Sequence, residues 1–321
     1  MFKRISTFSR YFKTVMDYPI FSIVVPTYNR PEQLKGCLKA LAKIDYPRDR
    51  YQVVVVDDGS QQPLDTVVEP FLDELEVALL RQENAGPAAA RNAGAQFAKG
   101  DYIAFTDDDC MPSADWLQQF AIALDAHPDA MIGGHTINAL PHNLYSTASQ
   151  ALIDYIYEYY GSSSAGIFFA SNNIAMSRSH FLEVGGFDVS FPLAAAEDRE
   201  LCDRWQQRGY PMHYAPDATI QHAHALSLKS FWRQHFGYGR GAFCFHKARA
   251  LRSAQTIKVE PVAFYTDLLT YPMKNGPAKK GGLRGPLQVS GLFFLSQVAT
   301  AAGFFWEKLS EQRQQNSVIS S

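Results

Sequence analysis

Residues 102–109 read YIAFTDDD: a short apolar run closed by Thr106 and then by three consecutive carboxylates, Asp107, Asp108 and Asp109. The run follows Lys99 and Gly100 and is too short for a helix, so it reads as a strand buried on both faces. Three adjacent aspartates at the mouth of such a strand repel one another, which raises their pKa values unless a cation or hydrogen-bond donors compensate. A bound divalent metal is the simplest compensation. The purely structural alternative, in which Asp109 initiates the next helix, competes with Ser113, which stands at the N-cap position before Ala114, Asp115 and Trp116.

The same pattern recurs on the N-terminal side. FSIVV at 21–25 reads as a first strand followed by the Pro-punctuated loop PTYNRPEQ, and residues 31–43 carry helical spacing at Leu34, Cys37, Leu38 and Leu41. Val53 to Val56 is a second buried strand, closed by Asp57, Asp58, Gly59 and Ser60. A helix near 64–75, an apolar run at 76–80 and a helix at about 87–98 lead into the opening strand. Strands alternating with helices predict a mostly parallel, Rossmann-like sheet covered by helices, with ligands at the carboxyl ends of the strands. That rule puts both aspartate clusters on one crevice. An Asp- and Gly-rich turn would account for Asp57 and Asp58 alone, but not for the recurrence.

Between the clusters, NAGPAAARNAG at 84–94 is neither a Walker loop nor a dinucleotide fingerprint. Pro87 suits the first helical position, and Arg91, one turn in, reads either as a phosphate-binding guanidinium or as a solvated arginine on an Ala-rich helix. Farther on, a helix at about 113–126 precedes a strand near 132–135. GSSSAG at 161–166 reads as a flexible connection, and Asn172 and Asn173 stand in an apolar run as structural brackets or ligand contacts. Glu197 and Asp198 open another helix, whose dipole would keep Asp198 ionised and able to accept a proton. Two histidines, His222 and His224, follow in ATIQHAHA, and FWRQHFGYGRG at 231–241 reads as a loop able to close over a sugar and phosphates.

Composition narrows the field. In 321 residues with 46% hydrophobic side chains, 30 basic residues balance 32 acidic ones, which gives no field for nucleic acid. The four cysteines are widely spaced and read as reduced thiols of a cytoplasmic protein. Residues 1–19 read as a basic segment: an amphipathic helix on anionic lipid, a frayed leader, or a helix docked on the body. Residues 287–306 carry no charge over a bilayer's length but are interrupted by polar side chains, which favours a membrane-surface or re-entrant helix, or a packed C-terminal helix, over a span.

These segments, in this order, resemble a family 2 glycosyltransferase of the GT-A fold. The resemblance rests on VVPTYNRPEQL (24–34), VVVVDDGS (53–60), NAGPAAARNAG (84–94), YIAFTDDD (102–109), SNNIAMSR (171–178), GGFD (185–188), AEDRELCDR (196–204) and RQHFGYGRG (233–241). It implies a GT-A domain over 20–245, divided into a nucleotide-binding half at 20–110 and an acceptor half at 111–245. A helical, membrane-associated extension would occupy 246–321. The implied enzyme is inverting, uses Mn²⁺ or Mg²⁺ and a nucleotide-diphosphate sugar, with a UDP-sugar as first expectation, and glycosylates a glycan or glycolipid at the inner face of the plasma membrane.

Carried over by resemblance, Pro26, Tyr28, Asp57, Asp58, Arg91 and Asp107 would bind the donor. Asp108 or Asp109 would hold the metal with His222, and His224 is the reserve ligand. Asp198 would be the general base, with Glu197 orienting it or the acceptor. The QxxRW element and multiple membrane helices of the processive synthases are missing from this sequence, which favours single transfers. A sugar-nucleotide nucleotidyltransferase and a catalytically inactive nucleotide-binding scaffold are the alternatives.

Overall fold

Apolar, β-branched runs build the centre of the protein. The computed structural model describes residues 18–160, 168–191, 195–253, 260–275 and 284–319; most of the basic N-terminal segment and the GSSSAG connection lie outside the described residues. Strands β1 (Phe21–Thr27), β2 (Tyr51–Asp57), β3 (Val77–Arg81) and β4 (Tyr102–Thr106) lie parallel in the order β3-β2-β1-β4. Both β1 and β2 are buried along their whole length, as expected of strands covered on both faces. The order reverses between β1 and β4, which opens a crevice at their carboxyl ends.

Beyond β4 the sheet becomes mixed. β7 (Asn173–Ser177) runs antiparallel to β4, and β6 (Met131–Asn138) antiparallel to β7. β8 (Met212–His222) runs parallel to β6, and the short β5 (Cys110–Pro112) is antiparallel to β8 in a register that sets Cys110 opposite His222. That register carries the three aspartates preceding β5 to the histidines ending β8; Ala223 N–H donates to Asp109 O. Asn173 is a bracket here: it accepts from Trp116 Nε1 and donates to His135 O and Ala218 O, joining the strands around β6.

Helices α1 (Pro31–Leu41), α2 (Asp65–Val68), α3 (Pro87–Phe97), α4 (Trp116–Ala126), α5 (Leu144–Tyr160), α6 (Arg178–Val184) and α7 (Glu197–Gln207) flank the sheet. Two expectations shift. The helix expected at 64–75 is only α2 plus a 3₁₀ turn at Glu69–Phe71, because Pro70 has no N–H to continue it. The helix expected from Ser113 begins at Trp116: β5 keeps the chain extended, Ser113 N–H donates to Thr219 O, and its hydroxyl is bonded to Asp115 rather than capping a helix.

The largest correction concerns FWRQHFGYGRG, which is no loop. It lies inside α8 (Leu228–Ser253), a 26-residue helix packed against α10 (Arg284–Ile319), with α9 (Val262–Lys274) between α5 and α10. A Cβ added at Gly239 would stand 1.9 Å from Thr300 O, so this glycine permits close helix approach rather than a turn. The apolar run at 287–306 lies within α10, where Val289, Phe293 and Ala299 are buried while Leu287, Phe294, Phe305 and Trp306 are exposed. These C-terminal helices have their own apolar cluster, including Leu152, Phe264, Leu268 and Phe293, separate from the clusters on the two faces of the sheet.

Gly94 lets α3 lie against β1 and β2: a Cβ there would stand 2.4 Å from Val24 Cγ1 and 3.1 Å from Val56 Cγ2. Overpacking of this kind costs about 1–3 kcal/mol, against roughly 1 kcal/mol gained in helix propensity. Gly94→Ala is therefore expected to lower the urea unfolding midpoint. A raised midpoint would show that the contact relaxes freely.

Candidate active site

The carboxyl ends of β1 and β4, the start of α7 and the end of β8 face one cavity of about 1650 Å³. Pro26 and Tyr28 line its β1 side, and Tyr28 is half exposed. Asp58 lines the same wall and is held by three donors: Gln82 Nε2 and Ala85 N–H on Oδ1, and Gly86 N–H on Oδ2. Asp57 is placed differently. Its carboxylate is turned away from the cavity, accepts Ser60 N–H at 2.8 Å and stands 3.8 Å from Arg81, so it braces the turn after β2.

The three aspartates after β4 take three different sets of partners. Asp107 pairs with Arg91 at 2.7 Å. Asp108 accepts Thr27 Oγ1 at 2.8 Å and pairs with Arg30 at 2.8 Å; burial pushes its carboxyl up to about 7, with Arg30 opposing and Asp109 adding to the rise. Asp109 pairs with Arg30 at 2.6 Å and meets His222 Nε2 at 3.2 Å and His224 Nδ1 at 3.5 Å. Burial alone would raise the Asp109 carboxyl too, but hydrogen bonds from His222 and His224 and the nearby positive charge hold it well below the usual carboxylate range.

Asp109, His222 and His224 therefore present one oxygen and two ring nitrogens within 4.8 Å of one another. The two imidazoles are stacked, with centroids 5.2 Å apart, and converge on one carboxylate. Burial opposes protonation of His222, but its bond to Asp109 outweighs this and raises its pKa. A mixed carboxylate and imidazole set fits a first-row divalent ion such as Mn²⁺ better than Mg²⁺, which prefers oxygen throughout. Both histidines reach the carboxylate, so His224 is as well placed as His222.

On the opposite wall Arg91 is 4% exposed and bridges Asp107 to Glu197, the latter at 3.3 Å. Its guanidinium is thus not the solvated one of an exposed helix face; two of its nitrogens are engaged by carboxylates, and its Nε is buried without a partner. Burial and the adjacent Asp198 raise the Glu197 pKa, with Arg91 opposing. Asp198 does not follow the dipole expectation: burial raises its pKa despite the backbone N–H of Arg199, which donates to Oδ1 at 2.7 Å. Desolvation outweighs the helix end because a carboxylate loses more on leaving water than one turn of dipole returns.

Arg30 and Thr27 were not singled out from the sequence. Both belong to the β1 end and the loop after it, where the crevice rule for parallel sheets places ligand contacts, and that rule is the signal that finds them.

Known proteins resemble this chain in sequence and in fold. The profile of glycosyl transferase family 2 matches residues 22–185. Glycosyltransferase AglE of Haloferax volcanii is 28% identical over 232 residues, covering 70% of this chain and 73% of that protein. The probable glycosyltransferase YdaM of Bacillus subtilis is 27% identical over 255 residues, covering 75% of this chain but only 60% of its own length. The fold is similar to that of the mannosyltransferase PcManGT from Pyrobaculum calidifontis, solved with GDP-Man and Mn²⁺. That likeness has a TM-score of 0.62 at 20% identity and covers 94% of this chain and 93% of that one.

The Arg91 bridge yields a pH-dependent test. Arg91→Met removes a group that lowers the Glu197 pKa, so the folded value rises further above the ordinary 4.5. A carboxyl raised in the fold contributes stability that is present below its unfolded pKa and is lost as pH rises through the folded value. The variant is expected to lose about 3–5 kcal/mol at alkaline pH, the scale for a broken buried pair, and clearly less near pH ~5. Urea unfolding at the two pH values measures this; a loss independent of pH would contradict the Glu197 assignment.

Proposed function

Because this chain belongs to glycosyl transferase family 2, we propose that it moves a sugar from a nucleoside diphosphate sugar to an acceptor hydroxyl with inversion at the anomeric carbon. The observation that carries this reading is the Arg91 bridge, which ties Asp107 at the end of β4 to Glu197 beside Asp198 within one cavity. A donor site and a proton acceptor thereby share a wall.

Pro26, Tyr28 and Asp58 offer a flat, partly apolar seat with a carboxylate for the base and ribose, and a uridine donor is the first choice. Asp107 is partly exposed to the cavity, and Arg91 holds it toward the sugar nucleotide. Asp109, His222 and His224 would hold a divalent ion; Arg30 pairs with both Asp108 and Asp109, but Asp109 has the histidine partners while Asp108 is bound by Thr27. When bound, that ion supplies positive charge against the diphosphate as it departs.

Asp198 takes the proton of the acceptor hydroxyl as that oxygen bonds to the anomeric carbon and the bond to the diphosphate breaks. Its raised pKa suits this role, since a base nearer the working pH accepts a proton more readily than an ordinary carboxylate. Glu197, pinned by Arg91, orients the first turn of α7. Residues 20–245 form the transferase unit in this reading, and 246–321 a helical extension at the inner face of the membrane. A single described segment, Gly285–Arg313, is long and apolar enough to cross a bilayer by length and composition.

Asp198→Asn is expected to keep Mn²⁺-dependent nucleoside diphosphate binding and to lose about 10²- to 10⁴-fold in turnover. A panel of sugar nucleotides with and without Mn²⁺, scored for diphosphate release, measures both. Unchanged turnover removes Asp198 from its role, and absence of release and of Mn²⁺-dependent stabilisation with every donor favours a non-catalytic scaffold.

Metal binding should also respond to pH. A protonated imidazole cannot ligate, so Mn²⁺ affinity should fall as pH drops through the raised His222 value, by up to about tenfold per unit for each proton displaced. Electron paramagnetic resonance titration of Mn²⁺ reads this directly. His222→Ala should bind Mn²⁺ more weakly and with a shallower pH slope; an unaltered affinity would place the ion elsewhere.

A further inference from the structure

Both carboxylate oxygens of Asp109 are engaged. Oδ1 meets His222 Nε2 at 3.2 Å and the Cys110 thiol at 3.9 Å, and Oδ2 meets Arg30 at 2.6 Å and His224 Nδ1 at 3.5 Å. An ion held by Asp109 and the two imidazoles must therefore share this carboxylate with Arg30. The imidazoles can accommodate an ion, because a neutral ring presents a lone pair and becomes a ligand. Arg30 cannot: its guanidinium keeps its charge and has no lone pair to offer.

The backbone that carries Arg30 is pinned on both sides. Asn29 N–H donates to Ser60 Oγ, Gln61 N–H donates to Asn29 Oδ1, and Leu34 N–H donates to Arg30 O at the start of α1. What can turn is the side chain. It is 39% exposed, against 3% for the side chains of Asp108 and Asp109, and all three residues line the cavity.

Positive centres a few ångström apart repel strongly where water is scarce, and the second charge of a divalent ion doubles the effect. The neighbouring carboxylates are already committed. Asp107 is paired with Arg91, and Asp108 with Arg30 itself and with Thr27, so neither offsets the charge that an ion at Asp109 would add. A diphosphate entering the same cavity brings that missing negative charge.

Resting on the transferase reading above, we propose that Arg30 makes divalent-ion binding depend on the donor: its charge opposes an ion at Asp109, and the donor's diphosphate lifts that opposition by offsetting both cations. The two ligands then bind cooperatively. Linkage requires each to raise the other's affinity by the same factor, and Arg30 sets the size of that factor.

Electron paramagnetic resonance titration of Mn²⁺ on the full-length protein, alone and with saturating UDP or GDP, reads both quantities. Arg30→Met should bind Mn²⁺ alone at least about tenfold more tightly than the parent, since one unit of positive charge beside the ion is gone. The factor by which nucleoside diphosphate raises Mn²⁺ affinity should shrink about tenfold in the same variant. Arg30→Lys keeps the charge without the planar fork and should stay within about threefold of the parent in both measurements. Arg30→Gln, which keeps N–H donors for the two carboxylates, repeats the test if Arg30→Met does not fold; a urea unfolding curve checks each variant.

A charge-removing variant that binds Mn²⁺ alone no more tightly than the parent overturns the proposal: Arg30 then only holds Asp108 and Asp109 in place. An undiminished nucleotide factor overturns it as well. Failure of the transferase reading looks different: no nucleoside diphosphate binds with or without Mn²⁺, while Mn²⁺ alone still binds the charge-removing variant more tightly than the parent.

Discussion

The site depends on the buried Arg91 bridge. Its guanidinium joins the end of β4 to the start of α7, residues 16 and 106 positions away in the chain, and it opposes the rise that burial imposes on the Glu197 carboxyl. Burying an ion pair gains little over an apolar contact, so such a bridge is weak as a source of stability and strong as a constraint on position. It demands that α3 lie tightly on β1 and β2, which the missing side chain at Gly94 permits. Helix packing, the donor wall and the candidate base are thereby linked.

The neighbouring aspartates show how three identical side chains acquire different properties. Asp107 is held by Arg91 and partly exposed, Asp108 is buried against Thr27 and Arg30 with a carboxyl pushed to about 7, and Asp109 is kept ionised by two histidines and Arg30. The difference comes from neighbours rather than from the residues. Arg30 is central, since one guanidinium spans Asp108 and Asp109 and holds both against their mutual repulsion.

The C-terminal helices contribute by a different route. Gly239 on α8 and Gly303 on α10 sit where a Cβ would collide with the facing backbone, so the two helices approach closely and Arg240 pairs with Glu307 across them. This close pairing leaves one face of α10 for the cavity and α5, and another exposed and apolar. The glycines that resembled loop signals in the sequence therefore serve helix contact. The local signal was ambiguous because glycine marks both a turn and a close approach.

Much was legible in the sequence itself. Short buried runs ending in Asp57, Asp58 and Asp107 to Asp109 specified parallel strands and where their ends would open, because backbone periodicity and strand burial are local properties of the chain. That order put the aspartate clusters on one crevice, whereas Glu197, Asp198 and His222 were joined to them by the family resemblance. Tertiary structure decided the rest. It turned Asp57 into a brace, engaged Arg91 with carboxylates, raised the pKa of Asp198 against the helix dipole, and brought Arg30 to the cavity. These outcomes depend on which side chains meet across long sequence separations and on how much water each loses, and neither quantity is written in local sequence.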